Sequence, residues 1–148
     1  MKYTEGHIGR VFILRLEDGD LLPQTIEQFA KEKQINHGHV TMIGCVSSGE
    51  VVVGPRKTEE MPPDPMKVPI EGAHETIASG VLVINEQNEP VLHFHGALGR
   101  AGRTITGCLR EGTKTWLVGE VIIYEILGVN AIRKYEPDSG FVLLDINE

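Results

Sequence analysis

The chain has 148 residues, 41% hydrophobic and 24% charged, enough for one domain (residues 1–148) to bury a core without cross-links, and not the composition of a disordered chain. A net charge of −7 and the absence of a long basic run set it against the like charge of a nucleic-acid backbone, so nucleic acid is disfavoured as a partner. Two cysteines with no paired framework suit a reducing, cytoplasmic setting, and no apolar run has the length of a leader or a membrane span.

Seventeen glycines and eight prolines imply frequent turns and many short strands. Arg10 to Glu17 alternates apolar and polar residues as a strand does, and Asp18-Gly19-Asp20 closes it. Pro23 then suits the first turn of a helix, and Ile26, Phe29 and Ala30 share a helical face, with Glu27 four residues before Lys31. The spacing predicts one main helix over roughly 23 to 34. Val40 to Val53, broken by Gly44 and Ser47-Ser48-Gly49, reads as a two-stranded hairpin, and proline-rich Pro55 to Gly72 as a long surface loop. Thr76 to Ile84 is a strand ended by the polar turn up to Pro90. Val91 to Leu98 and Thr104 to Arg110 flank Gly99-Arg100-Ala101-Gly102 as a second hairpin. Lys114 to Leu127 is a long apolar strand, and Phe141 to Ile146 a short last one. About eight strands and one helix imply an α+β domain with a largely antiparallel sheet.

The second hairpin holds the sharpest chemical signal, His93-Phe94-His95. Residues two apart on a strand point to one face, so both imidazoles project together and Phe94 turns the other way. A hairpin folded about Arg100-Ala101 sets His93 opposite Cys108 and His95 opposite Thr106. Two imidazoles and a thiol on one patch could hold zinc or another divalent transition metal, with a fourth position open to water or substrate. The competing reading makes the histidines a solvated polar face and Cys108 a small core filler. His37 and His39 have the same spacing and no third ligand, which favours a structural role; His7 and His74 are isolated. Gly96, Gly99 and Gly102 precede no helix and form no dinucleotide fingerprint. Glu120 lies within the long apolar strand, where a carboxylate needs a partner. A buried ion pair with Arg133 is the plainer account; contact to a metal-bound histidine, or acid–base work, makes it a weak catalytic candidate.

The run HFHGALGRAGRTITGCL from His93 to Leu109 resembles the signature of the plant-and-prokaryote conserved domain, a His-x-His, a glycine-containing turn, then Gly-Gly-His-Leu. Gly9 to Leu14, Glu75 to Gly80, Glu120 to Ile123 and Ser139 to Leu144 resemble that family's other strands, in the same order. The resemblance implies a small helix packed on a curved sheet, a homotrimer and, in stand-alone prokaryotic members, a metal-binding histidine triad. It also implies a fold similar to that of acetolactate decarboxylase, a zinc enzyme, which does not by itself carry over the reaction. The family's third histidine falls at Cys108 and the first glycine of Gly-Gly-His at Thr106; a thiolate ligand would soften the metal preference. The plant proteins add an Arg-Gly-Arg-Pro hook for DNA, which this sequence lacks. The expectation is therefore a trimeric metal-binding protein, extending to metal-dependent chemistry on a small acid or carbonyl compound. The alternative is a non-catalytic self-association module.

Overall fold

The computed structural model describes residues 1–146. The first strand, β1 (His7–Glu17), leads through the two-residue β2 (Leu21–Leu22) into helix α1 (Gln24–Glu32). There follow β3 (His37–Ser48), β4 (Glu50–Pro55), β5 (Pro65–Pro69), β6 (His74–Ile84), β7 (Pro90–Arg100), β8 (Arg103–Leu109) and β9 (Thr113–Leu127). A separate hairpin closes the order with β10 (Ala131–Glu136) and β11 (Phe141–Ile146). The main sheet is antiparallel, in the order β1-β9-β3-β6-β7-β8-β4-β5, with β2 beside β9. The α+β class is as expected.

Two local expectations fail for physical reasons. Val40 to Val53 is not a hairpin. Gly49 alone joins β3 to β4, and one residue cannot reverse a strand, since the tightest hairpin loop has two. Three strands (β6, β7 and β8) lie between β3 and β4, so the sheet curves until they meet. Gly49 has φ +120°, and a Cβ there would stand 2.7 Å from Thr113 Cα. The presumed loop at Pro55 to Gly72 contains β5. Its terminal prolines mask it in the sequence and are tolerated because it is an edge strand.

The concave face carries the core. Ala78 and Leu82 of β6, Leu92, Phe94 and Leu98 of β7, and Val121 and Ile123 of β9 are buried there with Ile26 and Ala30 of α1. The Phe94 ring is fully buried, and its burial stabilises the fold by about 2 to 3 kcal/mol. Glu27 does not pair with Lys31. Its carboxylate accepts the Leu92 amide at 2.8 Å, tying α1 to β7, while Lys31 reaches Glu89 at 2.8 Å.

The registers fix the other face. One row crosses six strands as Ile13, Ile122, Thr41, Ser79, His95 and Cys108. The row on one side reads Val11, Tyr124, His39, Val81 and His93; on the other, Arg15, Glu120, Ile43, Ile77, Ala97 and Thr106. The β10–β11 hairpin reaches this sheet through a bridge between Arg133 and Asn85, just past the end of β6.

Candidate metal centre

The turn between β7 and β8 is the two-residue Ala101-Gly102, both with positive φ (+51° and +76°), closed by the Arg100–Arg103 pair. That is the twist of a type I′ hairpin. It moves the pairing by two residues from the expected register. His95, not His93, faces Cys108, and Thr106 faces Ala97. A two-residue shift preserves the side on which each residue projects, so Cys108 stays on the histidine face.

The ligand atoms of His93, His95 and Cys108 lie within 4.8 Å of one another. The two Nε2 atoms are 3.0 Å apart and share a hydrogen bond, with the rings edge to face at 4.8 Å between centroids. Zinc–ligand bonds of about 2.0–2.3 Å set tetrahedral donors about 3.4–3.8 Å apart, a separation that these three atoms bracket. The imidazoles are solvent-exposed, while Cys108 is only 8% exposed. The set therefore has a buried sulfur floor and an open nitrogen side, which fits a metal with one position left for an outside ligand. Burial holds the His93 pKa below the usual imidazole range, helped by His95, Arg133 and Arg110. The neutral ring is the ligating form.

Arg133 lies beside this group. Its Nη2 donates to the carbonyl of Val81 at 3.0 Å, and Val81 is directly opposite His93. The ion pair expected between Arg133 and Glu120 does not form. Glu120 is exposed, beside Arg15 on β1 and Ile43 on β3. It is three strand spacings from His95, about 14 Å at ~4.8 Å per strand, too far to touch a metal on the same chain's triad. It lines instead a shallow hollow with Ile43, Ile77, Ala97 and Val118. Of the other histidine pair, His37 Nε2 contacts the Ala131 carbonyl at 2.8 Å, and His39 Nε2 contacts Ser79 Oγ at 2.9 Å. The sequence offered Arg133 only as a partner for Glu120 and did not place it or Val81 beside the histidines; that depends on β10 lying against β6, a contact no local pattern in the sequence signals.

A curved sheet of this topology, with paired histidines on the first strand of a tight hairpin, defines a small α+β domain class. Residues 3–127 match the Plants and Prokaryotes Conserved (PCC) domain, and the chain belongs to that family. A metal-containing protein from Archaeoglobus fulgidus is 28% identical and superposes with a TM-score of 0.83, covering 97% of this chain and 98% of its own. A plant- and prokaryote-conserved protein from Pyrococcus horikoshii is 23% identical with a TM-score of 0.85, covering 100% and 99%. The bifunctional protein GlmU of Synechococcus sp. (strain JA-3-3Ab) is 26% identical over 141 residues. That match takes in 94% of this chain, which spans 21% of the relative's length.

Proposed function

We propose that this protein binds one divalent transition metal per chain, zinc foremost, through His93, His95 and Cys108, and that it works as a homotrimer. The observation that carries the metal reading is the convergence of three ligand atoms within 4.8 Å. The similarity to a metal-containing archaeal protein over nearly the full length of both chains supports it. When bound, such a metal supplies a Lewis acid at the open position. The protein's own contribution is to hold two imidazoles and a sequestered sulfur in place from one hairpin, and to keep a guanidinium close by. That combination suits a small acid or carbonyl compound.

Elemental analysis of untagged protein tests the reading. About one metal per chain is expected in the wild type, lost in His95→Ala and in Cys108→Ala. Metal retained in Cys108→Ala would remove the sulfur from the ligand set. No metal in any sample after reconstitution with zinc would end the proposal.

A second reading, in which self-association is the function, draws on the exposed apolar rows of the convex face. Ile13 is 81% and Ile77 72% exposed, an unusual density of large apolar side chains for one face of an isolated domain. It predicts the same assembly with and without metal.

A further inference from the structure

Among the described residues two charged side chains are buried, Glu125 and Arg133. They are treated very differently. Glu125 receives three hydrogen bonds from Arg10, two from the guanidinium and one from the backbone amide. Arg133 is 5% exposed and has no carboxylate partner among the described residues; Nη2 donates to the neutral Val81 carbonyl, and the buried Nε has no partner at all. A guanidinium keeps its charge in a protein, and a buried charge without a counter-ion is unfavourable. The chain has twenty-one acidic residues, yet none pairs with this arginine in the described structure.

A bound metal would not provide the missing negative charge. A divalent cation with one thiolate and two neutral imidazoles leaves a net charge of plus one, which adds to that of Arg133. The guanidinium is anchored on Val81, the residue opposite His93. Nη2 has two hydrogens and Val81 uses one. Nε keeps an N–H that no described group accepts, and a guanidinium offers pairs of N–H groups whose spacing matches the two oxygens of a carboxylate.

We propose that Arg133 is the anion-binding residue of the metal centre, and that the ligand is a small carboxylic acid with a second oxygen next to its carboxylate. The carboxylate takes the guanidinium and the second oxygen the open metal position. This rests on the metal reading given above.

The test uses the full chain loaded with cobalt(II), titrated with glycolate and with its uncharged isostere glycolamide, followed by visible absorption and calorimetry. Wild type is expected to bind glycolate at least about tenfold more tightly than glycolamide, the factor that one charge-assisted hydrogen bond supplies. Arg133→Gln should weaken glycolate binding about tenfold at unchanged cobalt content and leave glycolamide binding unchanged, and Arg133→Lys should keep part of the glycolate affinity. Equal glycolate affinity in wild type and Arg133→Gln would overturn the proposal, as would a wild type that does not distinguish the two probes. If Arg133→Gln does not fold, the metal-free wild type decides the matter: glycolate bound in preference to glycolamide sustains the anion site, and equal or no binding overturns it. A chain that takes up no cobalt refutes the metal reading separately. Calorimetry on the metal-free proteins then reads Arg133 alone: glycolate bound by wild type and not by Arg133→Gln sustains the anion site, and no binding overturns it.

Discussion

Cys108 is the residue on which the chemistry of the site turns. A buried sulfur opposite His95 biases the set toward zinc and other thiophilic ions over hard oxygen-seeking ones. Cys108→Ser is expected to keep the fold and weaken zinc binding by at least about tenfold, read by competition with a chromophoric chelator. Glu125 illustrates the opposite use of a buried charge. Arg10 holds its carboxyl well below the usual range, at about 2 against an ordinary 4.5. The folded state therefore binds fewer protons than the unfolded chain between those values. The stabilisation is complete above about pH 5 and is lost as pH falls toward 2. Urea midpoints measured down that range should fall steeply for wild type and less for Glu125→Gln, which begins lower at neutral pH by about 1 to 3 kcal/mol.

At the scale of elements, the β7–β8 hairpin carries both register and site. Ala101 occupies the left-handed region at φ +51°, where an alanine is strained by about 1 kcal/mol and asparagine is tolerated. Asn-Gly is the preferred pair for this turn. Ala101→Asn should raise the denaturation free energy by about 0.5–1 kcal/mol without changing metal content. Gly80 shows the reverse constraint. A Cβ there would collide with the His93 carbonyl and the Phe94 ring, so Gly80→Ala should push Phe94 out of the core, cost about 1–3 kcal/mol in a chemical-denaturation measurement, and disturb the strand that bears the histidines. The hairpin and its two histidines were legible because alternation and turn glycines are local signals. Its register was not, because Gly99-Arg100-Ala101-Gly102 can close about more than one pair, and registers two residues apart leave Leu98, Ile105 and Leu109 facing the core alike.

For the whole molecule, the convex face poses the question of assembly. Its central apolar rows lie open to solvent, while the concave face is sealed by α1. Sedimentation equilibrium is expected to give three copies for wild type, and Ile77→Glu, at the middle of that face, to give a smaller species with intact secondary structure. If the mutant stays at the wild-type mass, Ile77 is not at the interface. No described helix is long and apolar enough to cross a membrane.

The sequence alone determined the fold class, the single helix, most strands, and the shared face of His93 and His95, because these follow from period and turn residues; that Cys108 joins that face was decided by the two-residue turn that sets the register. It also carried the family resemblance, since separated motifs stand in order along the chain. Tertiary structure decided which strands pair, that β3 and β4 part at Gly49 instead of forming a hairpin, and that Glu120 is exposed and distant from Arg133. It also brought Arg133 from β10 towards the candidate ligands on β7 and β8. The reason is common to all of these: they are set by sheet curvature and by packing between segments far apart in the chain, where no short-range pattern of residues records which partner a strand will meet.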